Sequence, residues 1–357
     1  MLHAVIMAGG SGTRFWPFSR RARPKQFLSL TGGEPLIRTT IDRITPLVPA
    51  ERVWIVTAAA TGDLAREILP DIPSSNILLE PIGRDTAACA GYAAALIARR
   101  DPGAVCIVLP ADHVIPDADA LRRALAAGAD HVADQDGLLT FGIQPTRPET
   151  GYGYLKVGPP AAVSDGHQIH VLERFVEKPD ASTAERYLAS GAYLWNSGMF
   201  AWRAQTLLDE IARQLPLLAH GLGAIQAAAG TRRASATIEE VYPTLPKISV
   251  DFGIMEHAHR SWTLPVRFAW SDVGSWAALA EVLPAGTLGN VTRGRTALLN
   301  AANNIVISQG PVIAAAGVDD LIIVATSDAV LVIPRSKHQQ VKELVHQLGT
   351  AGWDDVV

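Results

Sequence analysis

The chain opens on a short apolar run, residues 4–7, that stops at paired glycines, and comparable runs recur at 53–56, 77–79 and 105–109. Between them, at 36–44, 63–69 and 86–98, apolar positions repeat at helical spacing. Continuous apolar runs of this length read as strands buried on both faces, and a spacing of three to four reads as helices that cover them. The alternation predicts an α/β fold, a Rossmann-like mixed, mostly parallel sheet with helices on both sides. Such sheets bind ligands past the carboxyl ends of their strands, so the glycine-rich turn after residue 7 marks a wall of the site.

From residue 137 onward the pattern predicts strands at 138–142, 154–157 and 171–177, and helices near 183–190, 204–214 and 251–258. These complete a first domain, 1–283. Pro284, Gly286 and Gly289 then break the preceding helix, which places a boundary at 284–290 and a second domain at 284–357. There the runs NIVIS, PVIAAA, LIIVAT and AVLVIP are separated only by turn residues such as Gln309-Gly310 and Asp319-Asp320. Close-set short strands without helices between them predict a small β-rich domain. Val341, Leu344, Val345 and Leu348 predict a closing helix over 337–348.

Composition narrows the function. With 357 residues, 48% of them hydrophobic, the chain can bury two cores. A net charge of −4 leaves no broad basic face for nucleic acid or for an anionic membrane, so any phosphate handling must be local. Cys89 and Cys106 stand in apolar surroundings and read as buried free thiols rather than as a disulfide framework. The N-terminus lacks the basic start and long apolar stretch of a signal peptide, and no run reaches the roughly 18 apolar residues of a membrane span. A cytoplasmic protein is expected.

Two segments carry candidate chemistry. In MAGGSGTRFWPFSRRARPKQF, Gly9, Gly10 and Gly12 let backbone N–H groups approach a triphosphate, Arg14 offers a planar fork and Lys25 a mobile point charge. The spacing fits neither a P-loop nor a dinucleotide turn, because Arg14-Phe15 stands where the latter needs its third glycine. Nor does the second strand end in an acid; Val56-Thr57-Ala58 follows, against a nicotinamide-dependent oxidoreductase. In VCIVLPADHVI, Asp112 stands just past a strand end, where it can hold a Mg²⁺ that bridges phosphates, and Asp272 in WSDVGSW supplies a second carboxylate. A turn or capping role is the alternative for Asp112 alone, and His113 reads equally as its neighbour or as a structural histidine.

In order along the chain, GGSGTRFWP, RPKQF, EPIGRDTA, LPADH, PETGYGY, FVEKP, WNSGMF and SDVGSW resemble the mannose-1-phosphate guanylyltransferases of the nucleotide-sugar pyrophosphorylase superfamily, from about residue 2 to 283. The resemblance implies direct displacement at the α-phosphorus of GTP by mannose 1-phosphate. It implies Asp112 and Asp272 as Mg²⁺ ligands, with Gly9, Gly10, Gly12, Thr13, Arg14 and Lys25 on the nucleotide phosphates. Glu80 would accept from guanine, while Asp85 and Thr86 either contact base or ribose or cap the helix they open. On the sugar side, Gly151 and Gly153 would let backbone approach hydroxyls, Glu177 and Asn196 would bind hydroxyls, and Lys178 would bind the sugar phosphate. Further implications are a homodimer, a C-terminal left-handed β-helix-like domain without a visible hexapeptide repeat, and a monofunctional enzyme lacking the phosphomannose isomerase domain of many bacterial members. Another sugar, such as a heptose phosphate, another base, or a non-catalytic regulatory homologue are the competing readings.

Overall fold

A computed structural model describes residues 1–10 and 12–357. They form two compact units that the chain visits in turn. One comprises Met1–Gly9, Ile41–Ala111 and Ile115–Trp270, the other Gly10–Thr40, Asp112–Val114 and Ser271–Val357. No helix of the described residues is long and apolar enough to cross a membrane.

The first unit is built on a nine-stranded mixed sheet: β1 (Leu2–Ala8), β2 (Val53–Ala58), β3 (Ile77–Glu80), β4 (Val105–Pro110), β5 (Leu138–Ile143), β6 (Tyr154–Ser164), β7 (His167–Val176), β8 (Tyr193–Arg203) and β9 (Ser261–Val266), in the order 3-2-1-4-8-5-9-7-6. β1 pairs parallel with β2 and β4, and β2 with β3, so these four strands end at one edge, as the apolar runs predicted. β8 then runs antiparallel between β4 and β5. The helix Asp85–Arg100 is alanine-rich because its neighbours come close: a side chain at Gly91 would meet Leu222 at 2.6 Å and Ile211 at 2.9 Å. Cys89 and Cys106 are buried free thiols.

Some elements depart from the sequence pattern. β8 and β9 carry no clean alternation, because Asn196, Ser197 and Gly198 interrupt one and Pro265 the other. The helix Ala118–Asp134, capped by Asp117 accepting from the Ala120 N–H at 2.8 Å, lies outside the expected elements although Leu121, Ala124, Leu125, Gly128 and Val132 are buried at helical spacing. The helix expected over 251–258 is only Val250–Gly253, capped by Ser249, followed by a 3₁₀ turn at Met255–His257.

In the second unit the chain coils. β10 (Val291–Arg293), β12 (Ile305–Ser308) and β14 (Leu321–Ala325) stack in parallel, β11 (Thr296–Leu299) stacks parallel on β13 (Ile313–Ala316), and β15 (Val330–Pro334) closes antiparallel on β14. Parallel stacking of successive returns is a β-helix-like arrangement, and buried asparagines hold its corners in place of a hexapeptide repeat. Asn304 Nδ2 donates to Asn290 Oδ1 at 3.1 Å, and Asn304 Oδ1 accepts from the Leu321 N–H at 2.9 Å. Ile305, Ile307, Ile322 and Val324 share one core with Phe15, Trp16, Trp276, Val341 and Val345. The closing helix is Val341–Thr350, shorter than expected because Arg335–Gln340 is wound as 3₁₀.

Candidate functional site

In the second unit the glycine turn is built around Lys25. Gly12 has φ of 60°, and a Cβ there would lie 2.2 Å from Lys25 Cβ and 2.8 Å from the Lys25 backbone nitrogen, so only glycine fits. Ser11, between Gly10 and Gly12, lies outside the described residues. The turn Thr13–Phe15 follows, with Phe15 fully buried against Trp276 at a ring separation of 5.0 Å. The Lys25 ammonium stands 5.7 Å from the centre of the Phe15 ring. Lys25 is therefore fixed rather than mobile, a correction to the sequence expectation. Its Nζ donates to Asp112 Oδ2 at 2.8 Å and to the Asp272 carbonyl at 2.6 Å. Two of the three ammonium protons are committed to the two segments that carry the candidate metal carboxylates.

Asp112, Asp272, Lys25, Arg14, Gly12 and Thr13 line one cavity of about 330 Å³, with His113, Gly274 and Lys342. Gly10 and Arg14 are exposed. Burial pushes the Asp112 carboxyl up, but the charge of Lys25, with a smaller contribution from His113 and the Lys25 hydrogen bond, outweighs it and holds the group below its ordinary range. Asp272 sits on a tight turn. The Gly274 N–H donates to its Oδ1 at 3.1 Å, the Val273 N–H donates to Ser271 Oγ at 3.1 Å, and Val273 takes a φ of 45° that is strained for a β-branched residue. Strain held beside a carboxylate in a cavity is typical of functional turns. The donor set fits Mg²⁺, a hard ion that takes one or two carboxylates and completes its shell with water and phosphate oxygens. Among the described residues no group of three His, Cys, Asp or Glu side chains offers a protein-only cage.

The first unit carries the remaining candidates in two places. Glu80, at the end of β3, is buried and accepts from the Tyr242 hydroxyl at 2.5 Å. Desolvation raises its carboxyl above the ordinary value against that hydrogen bond. A Cβ at Gly9 would meet Glu80 Oε2 at 2.9 Å, so the carboxylate approaches the end of β1 because residue 9 is glycine. Asp85 takes a φ of 66° and accepts from the Thr86 N–H at 2.8 Å, while Arg84 occupies the cap position. Thr86 Oγ1 accepts from the Val250 N–H at 2.8 Å, tying the helix to the segment 249–250.

The second place gathers Glu177, Asn196 and Asp251, a residue whose sequence position suggests only a helix start. Asn196 Nδ2 donates to Asp251 Oδ1 at 2.9 Å, and Asn196 Oδ1 accepts from the Gly198 N–H and from Thr140 Oγ1, each at 3.1 Å. Glu177 Oε1 accepts from Lys178 Nζ at 2.9 Å, whereas Glu177 Oε2 is buried without a hydrogen-bond partner among the described residues. A Cβ at Gly153 would stand 2.4 Å from that oxygen, which explains the second glycine of GYGY. Burial first, and then the charge of Glu177, push the Asp251 carboxyl up to about 7. Gly151 donates to Glu149 Oε1 at 3.1 Å, and Tyr152 packs edge-on against Trp195 and Trp270, each at 5.3 Å. An orphaned acceptor beside an oriented amide and a second carboxyl suits a ligand rich in hydroxyls. In sequence Asp251 reads as a helix start, since its partner Asn196 lies 55 residues away.

Comparison with known proteins places these residues in a family. The model of the nucleotidyl transferase family matches residues 3–287, and that of the mannoseP isomerase/GMP-like β-helix domain matches 294–348. A mannose-1-phosphate guanylyltransferase of Klebsiella pneumoniae is 41% identical over 350 residues, 98% of this chain and 74% of that protein. An Escherichia coli protein of the same name is 41% identical over 351 residues, with the same shares. Among solved structures, the crystal structure of a protein named mannose-1-phosphate geranyltransferase, from Thermus thermophilus, is 37% identical, with a TM-score of 0.88 over 98% of this chain and 99% of that one.

Proposed function

This chain belongs to the nucleotidyl transferase family, and on that premise we propose how its residues carry out the reaction of a mannose-1-phosphate guanylyltransferase. The enzyme transfers GMP from GTP to mannose 1-phosphate, giving GDP-mannose and pyrophosphate. A phosphate oxygen of the sugar phosphate attacks the α-phosphorus in line, a new P–O bond forms, and the bond to the β-phosphate breaks. Little covalent chemistry is asked of the protein, which supplies positioning and charge neutralisation.

The observation that carries this reading is the single cavity that unites Arg14, Lys25, Asp112 and Asp272 behind a glycine turn. Asp112 and Asp272 would hold Mg²⁺, which when bound neutralises charge on the α-phosphate and on the departing pyrophosphate. Lys25 holds Asp112 in place through its ion pair and keeps one ammonium proton for a phosphate oxygen. Gly9, Gly10, Gly12 and Thr13 admit the triphosphate. Glu80 is assigned to the guanine, supported by its carboxylate at a strand end, with Asp85 and Thr86 in the adjoining helix start. Glu177, Asn196 and Asp251 are assigned to the sugar hydroxyls and Lys178 to the sugar phosphate, with Gly151 in the loop beside them.

A homodimer in the cytoplasm, where GTP is made and used, completes the proposal; light scattering of the purified chain tests the first part. The reaction is tested by pyrophosphate release in Mg²⁺, crossing GTP, ATP, UTP and dTTP against mannose, glucose and heptose 1-phosphates. Release with GTP and mannose 1-phosphate alone is expected. Release with another pair would correct the substrate, and silence across all pairs would favour a regulatory homologue.

A further inference from the structure

None of the motifs quoted above contains one of the cations that line the phosphate cavity: Lys342, the second residue of the helix Val341–Thr350. Packing fixes that helix. Val341 and Val345 are buried in the same cluster as Phe15 and Trp16, so one face of the helix is pinned to the segment that carries Arg14. Lys342 follows Val341 by one residue, about 100° around the helix, which takes it off the buried face and leaves it exposed at the cavity wall.

The charges of the cavity show why a further cation is needed. Lys25 is already paired with Asp112, and Asp272 adds a second negative charge. Beyond the Mg²⁺ assigned to the two carboxylates and the one proton left on Lys25, Arg14 and Lys342 are the cations of this cavity that can meet the charge of a polyphosphate. Lys342 and Thr13 also line an adjoining cavity of about 440 Å³ together with Arg20, Arg21 and His346. Arg20 and Arg21 there are already paired with Asp328 and Asp354, so Lys342 is the cation shared by both cavities, and Lys25, Asp112 and Asp272 do not line the second. The reacting α-phosphate belongs with the two carboxylates, so Lys342, at the wall between that space and the adjoining one, fits the phosphates beyond it.

We propose that Lys342 binds the β- and γ-phosphates of the nucleotide, the part that leaves as pyrophosphate, so that the C-terminal helix is a working part of the active site. This rests on the nucleotidyl-transfer reading above. It gives the helix Val341–Thr350 a role in substrate binding, and it makes an exposed lysine far along the chain a partner of the glycine turn.

The test compares ligands that differ only in the distal phosphates. In Mg²⁺, the affinities of GTP, GMP and inorganic pyrophosphate are measured by titration calorimetry for the wild type, Lys342→Met and Lys342→Arg. Loss of one charge-assisted phosphate contact should weaken GTP and pyrophosphate about tenfold in K342M while leaving GMP within about twofold, and Lys342→Arg should restore most of the loss. Unchanged GTP affinity in K342M, or equal losses for GTP and GMP, would overturn the proposal. Thermal melts check folding, and Lys342→Gln provides the same comparison if K342M melts early. Wild type that turns over no nucleotide would instead defeat the premise; an active wild type with an indistinguishable K342M defeats this inference alone.

Discussion

Replacing Asp251 by Asn should remove a pH-dependent cost of folding. Asp251 accepts from Asn196 at 2.9 Å and lies in the field of Glu177, and burial followed by that field moves its carboxyl from an ordinary 3.8 up to about 7. A folded-state pKa above the unfolded one means that the folded protein holds the proton more tightly. The stabilisation is complete below about pH 4 and is lost as pH rises through about 7. Three pKa units correspond to roughly 4 kcal/mol at most, and screening at a partly exposed group reduces this to about 2 kcal/mol. Asparagine can still accept from Asn196 and cannot ionise. Urea unfolding of the wild type and Asp251→Asn at pH 4.5, 6 and 7.5 should therefore show the stability difference moving in favour of the variant by about 2 kcal/mol across that range. Every titrating group outside this cluster is common to both proteins and cancels in the difference. Stability curves that run parallel with pH would refute the reasoning.

Gly12→Ala should be far more harmful than an ordinary turn substitution, because the left-handed backbone costs about 1–2 kcal/mol and the new Cβ cannot coexist with Lys25 where it stands; turnover should drop about a hundredfold with the rise in barrier that a displaced ammonium implies, and near-normal turnover would show that Lys25 need not be held there. Tyr242→Phe leaves the buried Glu80 carboxyl without its donor and should lower stability by about 1–3 kcal/mol in thermal melts. Glu80→Gln should weaken GTP by roughly 1–3 kcal/mol, and an unchanged affinity would move guanine recognition elsewhere. Asp112→Asn and Asp272→Asn should each abolish turnover with circular dichroism unaltered, and chelation of the wild type should do the same until Mg²⁺ is restored; activity that survives either treatment removes that group from the metal site.

Local pattern was enough where a segment's environment is uniform. β1 to β4 are buried on both faces, so each appears as a bare apolar run, and the glycine turn is visible because Gly12 answers a backbone constraint that no other residue meets. β8 was hidden because one strand must serve both the core, through Leu194 and Phe200, and a polar cluster, through Asn196. The short runs of the second domain were legible as strands, whereas their coiling followed from the family resemblance and not from the pattern, since Asn290 and Asn304 act only when the coils stack.

Local sequence was sufficient for the α/β class of the first domain, the β-rich character of the second, and the presence of a glycine turn and of carboxylates after strand ends, because each of these depends on neighbours within a few positions. The folded chain was needed to show that Lys25 is clamped by Asp112 and the Asp272 carbonyl, that Asp251 joins Asn196 and Glu177, and that Lys342 lines the cavity of Arg14 and Lys25. Those relations span tens to hundreds of residues. Charge, burial and hydrogen bonding act through space, and only the folded chain sets which distant groups share it.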